Sequence, residues 1–198
     1  MTKQWRVLLG TIIAALVVAV PLLYSSHRQI NLRNFRVVED GVLYRSGQLS
    51  PTAFERVVRE HGIKLVITLR TRRDDDMPYP DEFEERICNA RGIRHERIVP
   101  LVWSPDEKGE IPAEHNVARF LDLMRDRRNY PVLVHCFAGI HRTGTMCAIY
   151  RMEFDRWSAD RALAEMQTCG FEPHKDAGTR ALDSYLRNYQ PRWQRGEP

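Results

Sequence analysis

The stretch at residues 132–144, VLVHCFAGIHRTG, limits this chain's fold more than any other. An apolar run ends at His135, Cys136 follows at once, and five residues with a central Gly139 lead to Arg142, Thr143 and Gly144. After them comes a helical run, TMCAIYRMEF. A buried strand, a tight loop and a helix in that order turn the backbone N–H groups of the helix start toward a thiol. A strand buried on both faces needs neighbouring strands and helical cover, so the rest of the chain must supply them.

It does, in alternation. Two short strands at 37–38 and 42–44 flank an Asp40-Gly41 turn. Ser50 and Pro51 open a helix through Phe54, Val57 and Val58, which Gly62 closes. IKLVITL at 63–69 predicts a fully buried strand, and the charged segment 70–80 a loop at its end. A helix at 81–91, a strand at 93–101 and an acidic loop at 103–112 follow, and Pro112 opens a long helix. Beyond the thiol loop come helices at 143–154, from Ser158 to Gly170, and at 178–189, then a basic tail expected to fray. Strands alternating with helices predict an α/β fold with a central, mostly parallel sheet flanked by helices.

Before that domain, residues 7–23 carry no charge, with Lys3 and Arg6 ahead of them and His27 and Arg28 behind. The expected organisation is a short flank at 1–6, a transmembrane anchor at 7–24, a tether at 25–36, the folded domain at 37–190 and a tail at 191–198. A cleaved signal peptide is the alternative for 7–24. Arginines stand on both flanks, so the positive-inside rule does not choose a side. The net charge of +4 suits an anionic substrate or an acidic membrane surface. Basic and acidic residues are interspersed without a basic block, which argues against nucleic acid as a partner. Cys88, Cys147 and Cys169 read as small buried hydrophobes, and no Cys/His spacing marks a metal site.

The thiol loop suits a phosphate dianion. Gly139 lets the loop curl with its amides inward, and Phe137, Ala138, Ile140 and His141 complete the cradle. Arg142 presents a planar fork to two phosphate oxygens. Such a cationic setting lowers the thiol pKa of Cys136 and makes it a nucleophile. Thr143 can hydrogen-bond the sulfur, and His135 is expected to fix the loop from below. Arg70, Arg72 and Arg73 either lie on a solvated loop or reach substrate from the end of their strand.

HCFAGIHRTG resembles the His-Cys-five residues-Arg-Ser/Thr-Gly motif of the cysteine-dependent protein phosphatases, and with LYRSGQLSP it looks most like their dual-specificity group, particularly the compact atypical and bacterial members. The resemblance implies a cysteinyl-phosphate intermediate, no metal or other cofactor, and a carboxylic acid on an upstream loop that protonates the leaving oxygen. Asp106 stands where that acid is expected, with Glu107 and Glu110 as rivals. The expected substrate is protein phosphotyrosine, with phosphoserine and phosphothreonine as further candidates. A phosphoinositide or inositol phosphate is the alternative, disfavoured because the loop carries no Lys. His141 could add positive charge at mildly acidic pH. A non-catalytic phosphate-binding membrane protein is a second class, which intact Cys136 and Arg142 weigh against, and a rhodanese-like sulfur-transfer domain is a third, which the Arg142-Thr143-Gly144 ending and the upstream acidic loop fit poorly.

Overall fold

The computed structural model describes residues 4–5, 11–21, 32–72, 74 and 76–196. Five strands, β1 (Arg36–Glu39), β2 (Leu43–Ser46), β3 (Leu65–Thr68), β4 (Arg94–Arg97) and β5 (Val132–His135), form one sheet in the order β1-β2-β5-β3-β4. β1 pairs antiparallel with β2, and the other pairs are parallel. Ser46 and Thr68 both lie in register with His135. Three strands therefore end level, and the loops leaving them meet at one edge. In parallel sheets that C-terminal edge is where ligands bind.

Side chains alternate across the sheet as strand geometry requires. Val132 and Val134 of β5 join one core with α3 (Glu114–Arg125), α4 (His141–Glu153), α5 (Ala159–Thr168) and α6 (Ala177–Asn188). Leu133, between them, faces the opposite core under α1 (Pro51–Glu60) and α2 (Glu82–Arg91). Residues 143–150 of α4 are buried without a break, which makes it the central helix of its layer. Ser50 caps α1, its side chain accepting from the Ala53 N–H, and Gly92 in the left-handed region ends α2.

Three differences from the sequence expectation bear on the packing. β4 stops at Arg97, because it is an edge strand with a half-exposed pattern; only Ile98 beyond it is buried, while Val99, Leu101 and Val102 lie open to solvent. α3 begins at Glu114 rather than Pro112, after turns at 111–113. Residues 191–196 of the tail are docked, not frayed. It forms a one-turn helix, α7 (Arg192–Arg195), whose first N–H donates to Glu153, and Trp193 Nε1 donates to the Met152 carbonyl at 3.1 Å. Tyr189 donates to the same Glu153 carboxylate.

Of the expected anchor, residues 11–21 are helical and exposed, while 7–10 and 22–24 lie outside the described residues, as do 25–31 of the tether. Among the described residues no helix is long and apolar enough to cross a membrane.

Candidate active site

β5 delivers Cys136 to the C-terminal edge of the sheet, and α4 starts five residues later at His141. The intervening loop curls through Gly139, whose φ of +72° and tight surroundings exclude a side chain: a Cβ there would sit 2.5 Å from the Gly47 nitrogen. Three carbonyls of the loop are tied from behind. Phe137 O accepts from the Gln48 N–H at 2.9 Å, Ala138 O from the Asn34 amide at 3.3 Å, and Gly139 O from Arg45 Nη2 at 2.7 Å. With the carbonyls held there, the loop's N–H groups are left for the thiol side, and the Gly139 N–H points at Sγ from 3.3 Å. Asn34, Arg45 and Gln48 were not expected as parts of the cradle. For Arg45 and Gln48 the signal in the sequence was the LYRSGQ phrase, whose Arg45 is almost wholly buried despite its charge, while Asn34 lies in the segment expected as a tether.

The Cys136 thiol is held below its ordinary pKa. Burial works to raise it, but hydrogen bonds from the Thr143 hydroxyl and N–H and from the Gly139 N–H outweigh that, with the nearby His135 charge adding to them. Cys88 and Cys147 provide the contrast: burial pushes them up to about 12 and about 11. They are the inert core thiols expected, and all four cysteines are free.

Arg142 donates to the Leu69 carbonyl at 3.2 Å, which parks its fork at the mouth of the cradle. His141 and Arg142 share a cleft of about 830 Å³ with Cys136, Arg70 and Arg72. Arg73 lies outside the described residues. Phe137 stands half-exposed at the rim, with the Arg33 guanidinium 3.8 Å and that of Arg70 4.9 Å from its ring centre. Among the described residues, then, positive charge around the cradle comes mostly from outside the loop. No carboxylate among them lines the cleft.

The expected acid is not among the described residues that line the cleft. Asp106 is exposed, and its carboxylate accepts from the Lys108 and Glu110 N–H groups at 2.8 and 2.9 Å, capping its own turn. Glu107 and Glu110 are exposed on the same loop. His135 does lie beneath the cradle, its Nδ1 3.4 Å from the Cys136 carbonyl. A buried partner missed in the sequence, Glu84, sits 2.7 Å from its Nε2. Ligand atoms of Asp81, Glu84 and His95 gather within 4.8 Å of one another. Both Asp81 oxygens already accept from Arg97, and Thr68 donates to one of them, so a cation already fills the role a metal would take.

The model for a family described as a DSP-PTPase phosphatase fused to NAD+ kinase matches residues 22–182, most of the chain. The chain belongs to the dual-specificity phosphatase family. This places it in the cysteine-based tyrosine phosphatase superfamily, as the motif implied. Inositol diphosphatase DSP3 of Arabidopsis thaliana is 30% identical over 137 residues, 68% of this chain and 61% of that protein. Dual specificity protein phosphatase TpbA of Pseudomonas aeruginosa is 40% identical over 89 residues, 45% of this chain and 40% of that protein. The chain thus matches about three-fifths or less of the length of these relatives. The catalytic core of the PP-IP phosphatase SIW14 of S. cerevisiae has the same fold, with a TM-score of 0.62 at 23% identity, covering 84% of this chain and 92% of that one.

Proposed function

We propose that this dual-specificity-type phosphatase acts on a densely phosphorylated small molecule, an inositol diphosphate, by transferring its terminal phosphoryl group to Cys136. The carrying observation is the cleft itself, with Arg70, Arg72, His141 and Arg142 around the thiol and no carboxylate among its described lining residues. Several cations suit a substrate with phosphates beyond the one being cleaved. The missing Lys in the loop loses its weight, because Arg33, Arg70 and Arg72 reach the same region from other segments.

The chemistry agrees. Breaking a phosphoanhydride releases a phosphate, a good leaving group that needs little protonation, whereas an alkyl or aryl ester gains much more from a general acid. A cleft with no carboxylate among its described lining residues is suited to the first. In the forward step the thiolate attacks phosphorus while Arg142 and the loop N–H groups hold the equatorial oxygens. Water then cleaves the phosphocysteine, and the Thr143 hydroxyl donates to the departing sulfur. The names of DSP3 and SIW14 support this substrate class.

A phosphoprotein substrate is the second reading, supported by the likeness to TpbA over the part of the chain they share. Phosphate release from an inositol diphosphate and from a phosphotyrosine peptide, each with Cys136→Ser as control, separates the two. Faster Cys136-dependent release from the peptide would overturn the first. The uncharged run at 7–23 supports membrane attachment as a further part of the proposal, and carbonate extraction of membranes carrying the full chain tests it.

A further inference from the structure

Behind the nucleophile lies a buried pair that the two-step chemistry above does not use. The side chains of His135 and Glu84 are each about 1% exposed, with Nε2 and Oε2 2.7 Å apart. Glu84 belongs to an acidic first turn of α2, yet its neighbours face outward, Glu82 toward Arg86 and Glu85 toward Arg97. Glu84 alone turns into the protein. Its other oxygen accepts from Gln48 Nε2 at 2.5 Å, and Gln48 also holds the loop through its N–H bond to the Phe137 carbonyl.

The surrounding charges decide the protonation state. Asp81, at the start of α2, is matched by Arg97 of β4 at 2.8 and 2.9 Å and by the Thr68 hydroxyl of β3 at 2.5 Å. Glu84 has no arginine within ion-pair distance; among the described residues its one ion pair is with His135. A buried carboxylate without a cation costs several kcal/mol. His95, on β4 beside them, is pushed down by burial and stays neutral. For His135 burial works in the same downward direction, but the charges of Glu84, then Asp81 and Cys136, more than reverse it. Arg70, on the cleft lining, interacts electrostatically with Asp81, Cys136 and Glu84.

We propose that Glu84 is a positioning residue that holds His135 as an imidazolium directly behind the Cys136 thiolate. Negative, positive and negative groups then alternate from α2 to the reacting sulfur. The loop amides cradle phosphate, and this buried chain readies the nucleophile. The proposal rests on Cys136 as the nucleophile but needs no particular substrate.

Alkylation of Cys136 by iodoacetamide across pH, followed by peptide mass spectrometry on the purified full chain, reads the thiolate without any phosphatase assay. In Glu84→Gln the imidazole loses its counter-charge and becomes neutral, so the thiol midpoint rises. Alkylation at a pH below the wild-type midpoint slows about tenfold, with the high-pH plateau unchanged. Glu84→Asp, which keeps the charge, restores most of that rate. An unchanged or lowered midpoint in folded Glu84→Gln protein overturns the proposal. Should that variant not fold, nitrogen-15 histidine spectra of the unmodified protein decide: both His135 ring nitrogens protonated at neutral pH support it, and a neutral ring overturns it. Hydrolysis of an aryl phosphate, assayed separately, shows whether Cys136 fails as a nucleophile for other reasons.

Discussion

The floor and the rim of the cleft are built on opposite terms. On the floor, Cys136, Thr143, His135 and Glu84 are all buried, and loop carbonyls are tied from behind by Asn34, Arg45 and Gln48. On the rim, Arg70 and Arg72 line the cleft after the end of β3, and Asp106, outside the described lining, is exposed and bonded within its own turn. Whatever happens at the sulfur is prepared before substrate arrives. No carboxylate stands among the described lining residues to protonate a leaving group. The protein invests its packing in the nucleophile and in binding negative charge, and a substrate that leaves without help fits that division.

Four substitutions test where the boundary between floor and rim falls. Arg142→Lys removes the planar fork from the mouth of the cradle and should slow turnover of every substrate by about 10²–10³-fold in steady-state kinetics. Asp106→Asn should separate substrates: about 10²-fold slower on an aryl phosphate if the loop swings in to protonate it, and less than about threefold on a phosphoanhydride. Equal losses on both would place the acid loop on the floor side of the comparison. Gly139→Ala forces a Cβ against the Gly47 and Ser46 backbone at a positive φ, and urea denaturation should show a loss of roughly 2–4 kcal/mol. Ser50→Ala removes only the α1 cap far from the thiol, so stability should fall by about 1 kcal/mol with kcat unchanged.

Legibility in the sequence followed the same division. The cradle could be read because its parts are contiguous: strand, thiol, glycine, arginine and helix occupy residues 132–144. Fold class was legible too, from the alternation of apolar strands with capped helices. The support beneath the thiol was not. Glu84 lies far from His135 in sequence and sits among acids that look like a solvated helix start; only the packing of α2 on the sheet turns it inward. Arg45 was visible within LYRSGQ, but nothing local says that a guanidinium there is buried beneath a loop some ninety residues on. Asp106 shows the converse. Its spacing suggested an acid near sulfur, while short-range hydrogen bonds within the turn fix where its carboxylate rests. The tail was misjudged for a related reason, since Glu153 docks it from a helix that sequence pattern leaves unconnected to it.

The central claim is that phosphate passes through Cys136. Rapid acid quench during turnover, followed by mass spectrometry of the peptide carrying residue 136, tests it most directly. A phosphoryl group on Cys136 that appears and decays with turnover, and is absent from Cys136→Ser, is the predicted result. Phosphate release at full rate with no label on that peptide, or undiminished turnover by Cys136→Ser, would contradict it.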